Sequence, residues 1–344
     1  MPPFYSSSGT VRPVSFLFPS STITLEAALR DLAQGSPKAR AFAAHALGEI
    51  TEPAEKRRAL DALIIALEDD RPEVRAEAAG SLGELREPAA IPGLVKRLGD
   101  GVAVVRQNAA IALGTIGHPD GFEPLAESLA EGPADLRFQA ATSLAEIDQK
   151  RSQPLLVKAL ADKDPQVVGA AALSLGAIGD ATSIAALVAH LDDVDPAARF
   201  DVAYALAELK DPAGRRVLAE ALTDPERAWD AVTALANLGT ADDAEALGRT
   251  LVNKKTPPEA TVLAAGKLLA IAPNGTHHDA ARRVLLAALA ARKVHVRSLA
   301  VEQLGEVAGD WAKIPLEKLA RSGKGGELLE AIATALRAIQ ERLT

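Results

Sequence analysis

The 344 residues include no cysteine, which excludes disulfides, thiolate metal sites and cysteine nucleophiles. A formal net charge of −8 is not the basic footprint of a nucleic-acid binder, and no apolar run reaches the length of a membrane span. Aromatics are 3% of a chain that is 48% hydrophobic, so Ala, Leu, Val and Ile must build the core, a composition suited to close helix packing. Charge is uneven: residues 251–344 hold 14 Lys/Arg and 9 Asp/Glu, whereas residues 1–250 hold 24 and 37. Solvated helix faces account for this, with steering of a charged partner as the alternative.

Residues 1–23 stand apart. Pro2, Pro3, Pro13 and Pro19 forbid a regular helix there, yet Phe4, Tyr5, Phe16 and Phe18 fall in the same stretch. Phe16-Leu17-Phe18 reads as a cover for the open apolar end of the segment that begins at residue 24; a linear motif for a partner is the alternative. Only Arg12 precedes this short apolar patch, which argues against a secretory signal. With the absence of Cys, that suggests a cytoplasmic protein, and the Ala-rich, Arg-over-Lys composition suggests a bacterial one.

From residue 24 a dipeptide of a small residue and Leu returns about every 31 residues, at Ala46-Leu47, Ser81-Leu82, Ala112-Leu113, Ser143-Leu144, Ser174-Leu175 and Ala205-Leu206. Looser copies come after these at Ala234-Leu235, Lys267-Leu268, Gln303-Leu304 and Ala335-Leu336. A fixed period of this length means stacked supersecondary units. In the second unit, Ala59, Leu60, Leu63, Ile64 and Leu67 mark one face of a helix over 57–67. Asp70-Arg71-Pro72 turns the chain, with Asp70 as the expected cap, into a second helix over 73–85. Every unit reads as such an antiparallel pair, and no strand pattern occurs.

Seven residues before the repeated Leu stands Arg in six units: Arg40, Arg75, Arg106, Arg137, Arg199 and Arg297. An acid stands six residues before several of these, at Asp69, Asp100, Glu131 and Asp193. Acids and arginines at matching places in successive turns predict a structural ladder along the stack. In later units Ala228, Thr261 and Leu329 replace the Arg, and the runs 254–258 and 272–276 add length. Irregular repeats are therefore expected from about residue 212, with a bend near 253–276.

The segments DDRPEVRAEAAGSLGEL at 69–85 and VVRQNAAIALGTIG at 104–117 resemble the HEAT-repeat family, above all its short repeats of the phycobilin-lyase-like class. The resemblance covers residues 24–344. It implies an all-α, right-handed α-solenoid, an armadillo/HEAT-like superhelix of about ten helix pairs, whose second helices line a concave face.

Chemistry is not signalled. The HEAT-like di-iron hydroxylases depend on repeated His-Glu pairs, and no His-Glu dipeptide occurs among the six histidines. His277-His278-Asp279 reads as a solvated loop end, and the Gly114–Gly117 and Gly176–Gly179 runs read as helix C-caps, not phosphate loops. No cofactor is expected.

On each second helix, four positions are left outside the apolar pattern: six, five and two before the repeated Leu, and two after it. Five of the seven aromatics beyond the leader fall there: Phe42, Phe138, Phe200, Tyr204 and Trp229. Ile111 and Leu173 join them, with the acids Glu49, Glu77, Glu84, Glu146, Asp201, Glu208 and Asp230. One reading is an acidic, aromatic-lined groove for a protein or peptide with basic and apolar residues. The other lays the rings flat against neighbouring repeats. A non-catalytic scaffold is the expected function, with a bilin-lyase-type enzyme or subunit as the alternative. A HEAT-like DNA glycosylase would need a basic groove.

Overall fold

The computed structural model describes residues 23–322 and 325–344; the expected leader lies outside them but for Ile23. Twenty α-helices, and no strand, occur among the described residues. They fall into ten consecutive pairs: α1 (Leu25–Gln34) with α2 (Pro37–Gly48), α3 (Pro53–Ala66) with α4 (Pro72–Leu85), α5 (Ile91–Arg97) with α6 (Ala103–Ile116), α7 (Phe122–Glu131) with α8 (Ala134–Ile147), and α9 (Gln149–Ala159) with α10 (Pro165–Ile178). The rest are α11 (Ile184–Leu191) with α12 (Pro196–Glu208), α13 (Arg215–Ala221) with α14 (Ala228–Leu238), α15 (Ala241–Thr250) with α16 (Pro258–Ile271), α17 (His278–Ala288) with α18 (Val294–Val307), and α19 (Lys313–Ala320) with α20 (Leu329–Leu343). This is an α-solenoid. Among the described residues the contacts gather into two compact units, divided between Ala198 and Arg199 inside α12.

Local chemistry sets the helix ends. Thr24 and Ser36 accept from backbone N–H groups three residues on, and Asp164 from one two residues on. Pro37, Pro53, Pro72, Pro165 and Pro258 occupy the first turns, where no N–H is needed. Gly117 and Gly179 close α6 and α10 in the left-handed region, at φ 69° and 75°. Asp70 does not cap α4: the Asp69 carboxylate takes the Arg71 N–H at 2.9 Å instead, and Asp70 reaches out to Arg40.

Packing explains the repeated dipeptide. In the first unit α2, α4, α6, α8 and α10 stack one on the next; in the second, α14, α16, α18 and α20 do. Leu47, Leu82, Leu113, Leu144 and Leu175 are essentially inaccessible to water, and burying each contributes about 2–3 kcal/mol. The small residue before Leu meets the glycine next after Leu in the preceding unit. A Cβ on Gly48 would lie 2.7 Å from the Ser81 Cβ, and one on Gly114 2.8 Å from the Ser143 Cβ. The tenth copy differs: Leu336 is only partly covered, because α20 has no further helix beyond it in the described residues.

The ladder is present in the first unit and runs from one repeat to the next. Each Arg takes a backbone carbonyl of its own turn and a carboxylate of the next. Arg75 donates to Asp69 O at 2.9 Å and to both Asp100 oxygens at 2.8 and 2.9 Å. Arg106 donates to Asp100 O at 2.8 Å and to Asp135, and Arg137 to Gly132 O at 3.0 Å and to Asp162. Glu131 is not a rung: Asp135, in the first turn of α8, meets Arg106 at 2.8 Å. The carboxylates of Asp100 and Asp162 also accept backbone N–H groups two residues on, so one side chain shapes the turn and receives the guanidinium.

Candidate partner-binding face

The outward positions of the second helices do not share one fate. In the first unit Phe138 and Leu173 are half-buried, whereas Ile111 is 9% exposed and contributes little surface. Polar side chains on the second helices tie neighbours together, Asn108 from an outward position and Ser174 from the repeated dipeptide. Asn108 Nδ2 donates to Ala76 O at 2.8 Å, and Ser174 Oγ to Ala141 O at 3.0 Å. His45 Nδ1 lies 2.9 Å from Glu77 Oε1; burial raises the Glu77 carboxyl, and the His45 beside it pulls the other way.

In the second unit, Phe200 corrects the outward expectation: it is 7% exposed, because Tyr204 packs on it at 6.3 Å between ring centroids and the Arg227 guanidinium stands 5.2 Å from its ring centre. Its role there is to support Tyr204. Tyr204 is half-buried, and its hydroxyl is pushed up to about 12 by burial and by the charges of Glu208 and Asp230. Asp201 is raised to about 6 by burial, with Arg227 opposing and Asp230 adding to the shift. Trp229 is 44% exposed, and Glu208 and Asp230 are exposed.

Asp230 and Glu146 share an informative property. Both are open to water by surface area, yet surrounding protein raises both carboxyls. Nearby protein atoms disfavour the charged form, and the water that reaches both groups screens the effect. The Arg86 charge, two second helices away, is felt at Glu146 and lowers it.

Sequence reasoning stopped at the seventh repeat, but the same positional rule holds beyond it. Positions six and two before the repeated Leu, and two after it, are Ser298, Glu302 and Glu306 on α18, and Glu330, Thr334 and Ala338 on α20. All six line a cleft of about 800 Å³. Between the two regions, Val262, Leu263 and Gly266 of α16 are buried.

Among the described residues no group of three or more His, Asp and Glu gathers as metal ligands. His277 Nε2 meets Glu245 Oε2 at 2.8 Å across a repeat boundary. No helix among the described residues is long and apolar enough to cross a membrane.

These repeats match the family described as HEAT repeats over residues 24–114, 60–142 and 122–207, more than half of the chain. The chain belongs to the HEAT-repeat family, whose stacks are typical of protein-interaction scaffolds. Among solved structures, importin beta is similar at 15% identity and a TM-score of 0.56, over 92% of this chain and 52% of that one. That likeness is one of fold alone, and this chain spans about half of importin beta. An engineered protein is similar at 23% identity and a TM-score of 0.42, covering 92% of this chain and 98% of that one. The complex of CpcE and CpcF of phycocyanin lyase from Nostoc is similar at 22% identity and 0.42, covering 78% and 97%. No curated protein matches the sequence.

Proposed function

We propose that the chain is a non-catalytic interaction scaffold that holds a protein or peptide with basic and apolar residues on the outward face of its second helices. The observation that carries this reading is the α12–α14 surface. An exposed Trp229 and a half-buried Tyr204 stand among Asp201, Glu208 and Asp230, and the surrounding protein destabilises the charged forms of Asp201 and Asp230. A cation brought to Asp201 and Asp230 relieves that destabilisation, and an apolar side chain on Trp229 removes surface from water at about 25 cal/mol per Å². Phe138, Leu173, Ile111 and Glu146 occupy the equivalent positions of the first unit.

Random-peptide selection on the immobilised chain tests the reading. The expected winners carry Lys or Arg flanking an apolar anchor, bind more weakly as salt rises, and lose affinity at least tenfold to Trp229→Ala. Acidic winners, or undiminished binding by Trp229→Ala, defeat it.

A further inference from the structure

The α18–α20 cleft stands out against its surroundings. Residues 251–344 are net basic, with 14 Lys/Arg against 9 Asp/Glu. Yet four of those nine acids, Glu302, Glu306, Glu327 and Glu330, line this one cleft. Among the described residues Arg342 is the one Lys or Arg on it. That guanidinium is committed to the backbone, donating to the carbonyls of Gly305 and Ala308. Lys267 approaches Glu306 at 3.7 Å, whereas Glu302, Glu327 and Glu330 make no ion pair within the described residues. Among the described residues, Glu302 on one wall and Glu327 and Glu330 on the other are thus left without an ion-pair partner.

The floor has a different character. Gly305, Ala331, Ala335 and Ala338 form a seam of small residues between the two helices, with Leu328 at one end. A Cβ on Gly305 would lie 3.1 Å from Ala335, so the helices are in contact beneath the seam. An apolar floor of small residues between acidic walls fits aliphatic stems that end in cationic heads. Such side chains lay their methylenes on apolar surface and keep the charge at its edge.

We infer that the α18–α20 cleft is a second docking surface, and that it seats a lysine-rich segment of a protein partner. Charge complementarity selects the cation, and a floor of Gly and Ala suits the methylene stem of lysine. The two surfaces are lined by different residues, so this one stands whether or not the α12–α14 reading survives.

The absence of cysteine allows a site-specific test. Ala333→Cys, exposed on α20 beside the cleft, carries an environment-sensitive fluorophore in the full chain. An eight-residue peptide of alternating lysine and alanine is titrated at low salt. The expected result is a saturable fluorescence change whose affinity falls at least fivefold in Glu302→Gln/Glu330→Gln. It should stay unchanged in Glu55→Gln/Glu127→Gln, which removes the same charge from exposed positions on α3 and α7. No saturable change, or equal affinity in the two double variants, overturns the assignment. Spermine is the second arm: if it binds as tightly as the peptide, the cleft is a polyamine seat and the protein-docking assignment falls.

Discussion

Acids in the turns of the first unit and acids on the second-helix faces carry the same side chains under opposite conditions. In the turns, the Arg75 guanidinium holds Asp100 below the usual carboxylate range, and the Arg137 guanidinium does the same to Asp162. On the second-helix faces, burial raises Glu77, Glu146, Asp201 and Asp230. A carboxylate that stabilises the stack is already matched by a guanidinium. A carboxylate held at a cost to the fold, without a full internal match, is one that a partner can complete. Under the proposed scaffold reading, the first set belongs to the architecture, and Glu146, Asp201 and Asp230 of the second are the charges offered to a partner.

The largest expected effect breaks the first set. Arg137 is 8% exposed and joins Asp162 to Gly132 O, so Arg137→Ala should cost about 2–4 kcal/mol by leaving both unpaired. Arg106→Ala, at a more open rung, should cost about 1–3 kcal/mol. Calorimetric melting measures both, and an unchanged melting temperature would remove the arginines from the architecture. Next comes the seam that carries the faces. Gly114→Ala forces a methyl against Ser143 and should cost about 1–3 kcal/mol, read from urea midpoints.

A smaller effect separates the two sets by pH. Asp201 binds its proton more tightly folded than unfolded, since its folded pKa of about 6 exceeds the unfolded value near 3.8. Its contribution to stability is complete below pH 3.8 and is lost as pH rises through 6. Asp100 and Asp162 have the opposite sign: their contribution is present above their ordinary range and disappears as pH falls through their lowered folded values. Asp201→Asn should therefore flatten the slope between pH 4 and 6 and leave the acid limb intact. At pH 7 it should gain on the order of 1–2 kcal/mol, at about 1.4 kcal/mol for each tenfold change in proton affinity, discounted for partial exposure.

The smallest effects lie on the exposed rings and caps. Trp229→Ala should shift stability by less than about 1 kcal/mol, because nearly half of the residue is already in water. Tyr204→Ala should cost about 1–2 kcal/mol, since it uncovers Phe200. Trp229 is therefore the cleaner probe of binding. Arg86 ends α4 at φ 55°, where Gly117 and Gly179 end α6 and α10; Arg86→Gly should gain up to about 1 kcal/mol in melting experiments.

The helix pairs were legible because period and punctuation are local. Apolar spacing, Pro in the first turn and Gly at the end act within a few residues, and α4 starts at Pro72, one residue from the expected position. The outward positions of the second helices were legible in the spacing, but the exposure of the residues there was not. Phe200 and Trp229 hold the same place relative to the repeated Leu, yet one is buried and the other open, because Arg227 and Tyr204 cover the first. The α18–α20 cleft was within reach of the same positional rule and escaped because it holds no aromatic residue to draw attention.

By itself, the order of residues determined the repeat, the helix pairs, the small-residue seam and the presence of Arg in the turns, since each depends on spacing along one chain. Tertiary structure decided which acid meets which Arg. Arg106 chooses Asp135, 29 residues on, over nearer candidates because stacking brings the start of α8 beside it. It also decided that Asp201 titrates near 6 while Asp100 is held low. Burial and counter-charge are summed over every element packed around a group, and neither can be read from its neighbours in sequence.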